Sequence, residues 1–433
     1  MPIRLSLLIA ALWLLMFIPA GARAADYVPD EVIVRYAEGT GGGVAAQVAE
    51  EAGAEPVAGL PGRSEQLRIE DGDSVRETIA ELRNDPKVVY AVPNWHAHAA
   101  AEVPNDPGVK YQWNFFSEYG INVVEAWTLA EGRGAPAGRG AVVAVLDSGV
   151  AYERHGRYRR APDLRRKTFV HPWDFIQRDG HPNDVYGHGT HVAGTIAQTT
   201  NNGIGTAGIA YNAKIMPLRV LDAHGEGDSA AIARAIRYAA RYGADVINLS
   251  LEFPPEVRAA EIPDVVSALH YARRRGALVT AAAGNQTDIA VAYPARVSSV
   301  MAVGATTVTG CQADYSNSGE DLDVAAPGGG ADAPNTDSVW DAEHCDPDSP
   351  GEPIVQQTFM RGVQRFGFPR IYEGTSMASP HVAAIAALVI ATNRLGPSPT
   401  AREVEDHIED TARPTDRPDR YGAGLVDAAA ALR

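Results

Sequence analysis

The chain has 433 residues, more than one ordinary domain, so at least two folding units are expected. Hydrophobic residues make up 45% and charged residues 21%, which allows a sizeable core and excludes a disordered tail. The formal net charge of −16 argues against general nucleic-acid binding, which needs a basic face to displace counterions.

Residues 1–24 read as an address. Arg4 precedes an apolar run from Leu5 to Ile18, then Pro19 and the small-residue pattern Ala22-Arg23-Ala24. A positive start, a short apolar stretch and an A-x-A end are the parts of a secretory signal peptide cleaved after Ala24. The competing reading, an uncleaved anchor, requires ~20 apolar residues, more than this run supplies. No later segment is long and apolar enough to span a membrane, so a secreted protein, extracellular or periplasmic, is expected. The only cysteines, Cys311 and Cys345, both follow the signal. Two thiols in an oxidising compartment suggest one disulfide, with two independent thiols as the alternative.

Residues 25–100 form a small unit of their own. Glu31-Val32-Ile33-Val34-Arg35-Tyr36 alternates polar and apolar, as a half-buried strand does. Gly41-Gly42-Gly43 breaks the chain before helical spacing from Val44 to Ala52. Gln66 to Glu70 reads as a second strand, with a hairpin partner near Val57. Asp73-Ser74 caps a predicted helix over Val75–Arg83 that ends before Pro86, and Val88 to Val92 supplies a last strand. Residues 94–107 then have linker composition.

From Tyr111 onward the pattern changes. Ala141–Leu146, Asp245–Leu251 and Ala277–Ala283 are apolar on both faces, and helical stretches at Ser229–Arg241 and Pro263–Arg275 lie between them. Such alternation indicates a parallel sheet covered on both sides.

Three segments in this region carry chemistry. Leu146-Asp147-Ser148-Gly149 puts a carboxylate at the end of a buried strand, where open α/β sheets present their sites. Gly187-His188-Gly189-Thr190-His191 opens a helix with small residues around a histidine; His191 reads as structural. Gly374-Thr375-Ser376-Met377-Ala378-Ser379-Pro380-His381 precedes an apolar helix, Val382–Ile390. A serine there gains from the helix dipole, and its own N–H faces a developing oxyanion. Ser379, directly before Pro380, is the weaker candidate. Each segment alone has an ordinary reading as a cap or a turn.

Together they resemble the subtilisin-like serine proteases, the subtilase family, from about Asn105 to Leu432 and in the family's order of Asp, His, Ser. The resemblance implies a triad of Asp147, His188 and Ser376, and an endopeptidase working through an acyl-enzyme. The chemistry agrees: a hydroxyl needs an imidazole to take its proton, and the imidazole needs a carboxylate to fix its tautomer. Asn285, ending the strand Ala281-Ala282-Ala283-Gly284, is by similarity the side-chain donor of the oxyanion hole, beside the Ser376 N–H. The implied fold is α/β, a three-layer sandwich around a mostly parallel sheet over residues 101–433, with no further domain expected after it.

The resemblance also implies that protein or peptide substrates bind as an added strand. The segments are Gly225-Glu226-Gly227 and Asn248-Leu249-Ser250-Leu251, with Ala282, Ala283, Gly284 and Ala292-Tyr293-Pro294 walling the pocket before the scissile bond. The family's usual glycine after Ser-Leu is replaced by Glu252. Two readings stay open: the carboxylate favours basic or small substrate residues, or it points to solvent. Ala292 at the pocket floor is uncharged, so strict dibasic cleavage is not expected.

Thr200-Asn201-Asn202-Gly203-Ile204-Gly205-Thr206 resembles the family's calcium loop. The expected ligands are Asp106, Asp163, the Asn202 side chain and carbonyls of Thr200, Ile204 and Thr206, an oxygen-only set suited to Ca²⁺. The insertion between Asp147 and Asp163, carrying Arg154, Arg157, Arg159 and Arg160, is expected to be a solvated loop. Residues 25–100 resemble the family's inhibitor-like, ferredoxin-like propeptide, which chaperones folding and blocks the cleft. Cleavage between His98 and Val103 would release the mature enzyme, expected to be monomeric, and His96 and His98 raise the option of pH-sensitive release. Two alternatives remain: a catalytically silent scaffold acting as a binding protein, although no triad residue or oxyanion donor is missing, and an esterase using the same triad.

Overall fold

The computed structural model describes residues 27–70, 74–95, 103–334, 345–348 and 350–433. The expected signal peptide, Asp73, His96, His98 and most of the expected maturation window lie outside the described residues. The chain divides into two compact units, with the boundary between Ala100 and Ala101.

The first unit runs β1 (Tyr27–Tyr36), α1 (Gly42–Glu51), β2 (Ala54–Leu60), β3 (Ser64–Ile69), α2 (Val75–Asn84) and β4 (Val88–Trp95). Its antiparallel sheet has the order β2-β3-β1-β4, the ferredoxin-like arrangement. Alternation in β1 buries Val32, Val34 and Tyr36 against Val48, Leu67, Ile79 and Leu82, while Arg35 faces water. Ser74 caps α2 in a reciprocal box: Glu77 N–H donates to Ser74 Oγ at 3.3 Å, and Ser74 N–H to Glu77 Oε2 at 3.0 Å. The hairpin partner expected near Val57 is β2, which buries only Ala54 and so leaves little trace in the sequence.

The second unit begins with two short helices, α3 (Trp113–Phe116) and α4 (Val123–Gly132). The alternating part follows: β5 (Val142–Asp147), β6 (Trp173–Asp174), α5 (His188–Ala197), β7 (Lys214–Arg219), α6 (Ser229–Arg241), β8 (Val246–Leu249), α7 (Pro263–Arg274), β9 (Leu278–Ala282), β10 (Met301–Thr306) and β11 (Val324–Pro327). A hairpin, β12 (Thr358–Arg361) with β13 (Arg365–Gly367), precedes α8 (Thr375–Ala391), α9 (Ala401–Asp410) and α10 (Pro418–Tyr421).

All ladders of the seven-stranded sheet, β11-β10-β9-β8-β5-β7-β6, are parallel. Strand β5 shows why such strands read as continuous apolar runs. Val143 and Val145 join the layer of α5 and α8, while Ala144 and Leu146 join that of α6 and α7. After β5 the chain forms β6 and then β7 on one side and returns to β8 on the other, so the C-terminal end of β5 is a topological switch point.

Helix α8 starts seven residues before the expected Val382 and runs through Pro380. A proline inside a helix removes the N–H owed to the carbonyl four residues back, here that of Ser376. Ser250 Oγ donates to that carbonyl instead, at 2.7 Å, so the helix continues without an orphaned acceptor. The expected disulfide is present between Cys311 and Cys345, which are 34 residues apart.

Candidate active site

Asp147 closes β5 and is fully buried. Its Oδ1 accepts the Ser148 N–H at 2.7 Å, and His188 Nδ1 donates to Oδ1 at 2.8 Å with Oδ2 at 3.0 Å. His188 is the first residue of α5. A Cβ on Gly189 would lie 2.1 Å from Gly149 O and 3.0 Å from Asp147 Cβ, so glycine is what lets the helix approach the strand this closely. Ser148 Oγ bridges the two elements, donating to Asp184 Oδ1 at 2.9 Å and accepting the Gly189 N–H at 3.0 Å.

Asp184 played no part in the sequence reading. It is fully buried and accepts the N–H groups of Tyr186, Gly187 and Thr190, fixing the turn into α5. A carboxylate three residues before the Gly-His-Gly motif was the available signal.

Burial alone lowers the His188 pKa. The charge and hydrogen bond of Asp147, with the charge of Asp184, outweigh it and hold the imidazole above its usual 6.5. His191 behaves differently. It is fully buried, donates from Nε2 to Ile354 O at 3.0 Å and stacks on Tyr372, and burial pushes its pKa down to about 3. His381 likewise is held between Asn114 and the Met377 carbonyl, and burial takes it to about 4.

Ser376 is the second residue of α8, after Gly374 at φ 142°. Among the described residues its hydroxyl donates to Ser250 O at 3.3 Å, and no bond to His188 is formed. Ser379 is fully buried and bonded to Asn248 Oδ1 at 2.9 Å and Thr280 Oγ1 at 3.2 Å, which removes it from substrate. Asn285 Oδ1 accepts both the N–H and the hydroxyl of Thr375, at 2.8 and 3.0 Å. With Oδ1 engaged by Thr375, Nδ2 is the part of the amide left to donate to a substrate oxygen.

The lining residues divide into two groups. Gly225 and Gly227 sit on the loop after β7, and a side chain at 227 would meet Val220 O at 2.3 Å. Ser250 and Leu251 extend β8 and are buried. Ala283 O accepts the Ala292 N–H at 2.8 Å; both alanines are buried, and so is Gly284. Glu252 does not point freely to solvent: Oε2 accepts the Asn285 N–H at 3.1 Å and Oε1 the Gln286 side-chain amide at 2.6 Å.

At the expected metal site, Asp106 accepts the N–H groups of Asn201, Asn202 and Gly203, while Asp163 accepts Asn202 Nδ2 at 2.6 Å and the Thr206 N–H at 2.9 Å. Both carboxylates are buried, and a Cβ on Gly205 would fall 1.8 Å from Asp163 Oδ2. Burial raises Asp163 to about 7, with the Asp106 charge adding and the Asn202 and Thr206 bonds opposing. Two buried like charges suit a hard divalent cation, but here N–H groups face both carboxylates and Asn202 Oδ1 accepts the Ile204 N–H at 2.8 Å, so Asn202 would bind an ion through oxygen only with its amide turned over. Thr200 and Thr206 turn their hydroxyls to Gln198 and other neighbours, and Ile204 is exposed, so these three offer main-chain oxygen only. The arginine-rich insertion is tied down in part: Arg159 donates to Gly156 O and Tyr158 O, and Glu153 accepts from His181 and Asn183.

A histidine oriented by a buried carboxylate, on a parallel sheet that also presents a helix-terminal serine, defines the class of serine hydrolases. Residues 138–424 match the model of the subtilase family, and residues 17–94 that of the fervidolysin N-terminal prodomain. The chain therefore belongs to the subtilase family, as a subtilisin-like serine protease with an N-terminal prodomain. It is 35% identical to a thermophilic serine proteinase of Bacillus sp. (strain AK1) over 390 residues, covering 89% of this chain and 82% of that one. Thermitase of Thermoactinomyces vulgaris is 35% identical, covering 71% and 91%. A solved protease of Pseudoalteromonas arctica superposes with a TM-score of 0.62 at 33% identity, covering 76% of this chain and 99% of that one. The silent-scaffold alternative finds no support, since these relatives are named as proteases. No helix among the described residues is long and apolar enough to cross a membrane.

Proposed function

We propose that Ser376 is the nucleophile of a secreted endopeptidase, with His188 as general base and acid and Asp147 as its orienting carboxylate. The observation that carries this reading is the bond from His188 Nδ1 to Asp147. With the proton on Nδ1, Nε2 holds the lone pair that takes the hydroxyl proton. Ser376 Oγ then attacks the scissile carbonyl, and the oxyanion is held by the Ser376 N–H and Asn285 Nδ2. His188 returns the proton to the leaving amine, and water releases the acyl group by the same steps in reverse order. A rotation of the Ser376 side chain from Ser250 O towards His188 starts the cycle; such bonds tighten only once substrate is in place.

Substrate lies as an extended strand between residues 225–227 and 250–252, with Ala283, Gly284 and Ala292 around the side chain before the scissile bond. Residues 1–24 direct export, residues 25–100 act as intramolecular chaperone and inhibitor, and cleavage between His98 and Val103 yields a mature monomer, residues 101–433. Asp106, Asp163, Asn202 and main-chain oxygens of Thr200, Ile204 and Thr206 would hold a structural Ca²⁺, which joins surface segments and takes no part in the chemistry.

The test compares wild type with Ser376→Ala on unfolded casein, with N-terminal sequencing and mass spectrometry of the products. Wild type is expected to trim itself between residues 98 and 103 and to cut casein, while the variant stays full length. Two folded, calcium-loaded and inert proteins would refute the assignment.

A further inference from the structure

Glu252 links the segment that follows β8 to the turn that carries Asn285. It lies two residues beyond Ser250, whose carbonyl accepts the Ser376 hydroxyl. Both of its own oxygens are taken up by the turn that carries Asn285, one by the Asn285 N–H and the other by the Gln286 amide. Gln286 is itself held by Asn317, which accepts its N–H at 2.9 Å and donates to its Oε1 at 3.1 Å. Thr375 fixes the other end of Asn285 through Oδ1.

The donor amide is thus held by the head of α8 on its side chain and by Glu252 on its main chain. A carboxylate suits this place because it has two acceptor oxygens and no donor, matching two N–H groups. Glycine or alanine there would leave the Asn285 N–H without that acceptor. An oxyanion donor misplaced by a few tenths of an ångström loses much of its effect, because it acts by being aimed before charge develops.

We propose that Glu252 is a positioning residue for peptide hydrolysis, clamping the Asn285–Gln286 turn so that the Asn285 amide is aimed at the oxyanion. The inference rests on the role given to Asn285 above. The alternative, a handle for a basic substrate side chain, predicts a loss confined to basic substrates, which the assay below separates.

The test uses the mature enzyme as wild type, Glu252→Ala, Glu252→Gln, Asn285→Ala and the Glu252→Ala/Asn285→Ala double variant. Each is assayed for kcat and KM on peptide p-nitroanilides with neutral, acidic or basic residues before the scissile bond. Inhibition by a peptide aldehyde, whose adduct carries the oxyanion, is compared with inhibition by a cleaved product peptide. Glu252→Ala is expected to lower kcat about tenfold on every substrate, with KM within about twofold. Aldehyde binding should weaken in step, while product binding stays unchanged. Glu252→Gln, which keeps one acceptor oxygen, should recover most of the loss. In the Asn285→Ala background the same substitution should cost nothing further, since Glu252 acts only through Asn285. An unchanged kcat, a loss confined to basic substrates, or a full tenfold loss in the Asn285→Ala background overturns the proposal. Asn285→Ala as fast as wild type would instead refute the underlying reading. Should Glu252→Ala not fold, Gln286→Ala frees one carboxylate oxygen and is expected to lower kcat about threefold; no change would overturn the clamp.

Discussion

His188, the proposed general base, sits under opposing influences, and their balance would set the working pH. Burial favours the neutral ring, but Asp147 and Asp184 stabilise the charged one more strongly, so the proton is held to a pH above 6.5. The base must be neutral, so activity is lost as pH falls through this raised value, and the acid limb of kcat/KM is expected above 6.5. The stability contributed by charged His188 has the opposite sense: it is fully present below 6.5 and lost as pH rises through the folded value. Asp147→Asn should move the acid limb below that of wild type and cut kcat by roughly 10⁴-fold, the loss seen when another serine protease is deprived of this carboxylate. A limb that stayed put would show that Asp147 does not set the titration. Asn285→Ala should lower kcat by roughly 10²–10³-fold, a magnitude measured in subtilisin itself rather than deduced from this chain. Burst titration against wild type would separate that loss from misfolding.

Helix α8 and strand β8 are joined by an exchange between two serines: Ser250 Oγ donates to Ser376 O, and Ser376 Oγ donates to Ser250 O. Ser250→Ala would take this donor from the half-buried Ser376 carbonyl, and Pro380 has no N–H to replace it. The expected cost is about 1–3 kcal/mol of stability together with a fall in kcat, read by denaturant unfolding and initial rates. The same proline hid the start of α8 from sequence reading, since a proline normally marks a boundary. Strands β5, β8 and β9 were legible because they are apolar on both faces. Strand β2 was nearly silent because all but Ala54 is exposed, and the β12–β13 hairpin has three or four residues per strand and no clear period. The triad candidates were legible because short motifs fix their local geometry. The Glu252 clamp was not: its partners lie 33 and 34 residues along the chain, and only the pairing of β8 with β9 inside the sheet brings them together.

At the scale of the whole second unit, two cross-links join segments distant in sequence. Asp106 and Asp163 meet the 200–206 loop, so a bound cation would tie three stretches together. Chelation should lower the unfolding temperature, by the equivalent of about 2.7 kcal/mol when calcium had been present at a hundred times its Kd. Asp163→Asn should abolish that difference in calorimetry with and without EDTA; an unchanged calcium effect would move the ion elsewhere. The Cys311–Cys345 bridge closes a 34-residue separation and should contribute about 3–4 kcal/mol in the chain-entropy model. Replacing both cysteines by serine, followed by unfolding kinetics, measures it. The serine exchange has a consequence for the order of events during synthesis. Ser376 O finds its donor 126 residues earlier in the chain, and only after the central strands have aligned. The first turn of α8 is therefore completed by a long-range contact, which forms late because its loop must close first. Until the central strands align, Ser376 lacks this support, so competence to cleave is expected to appear with assembly of the sheet rather than before it.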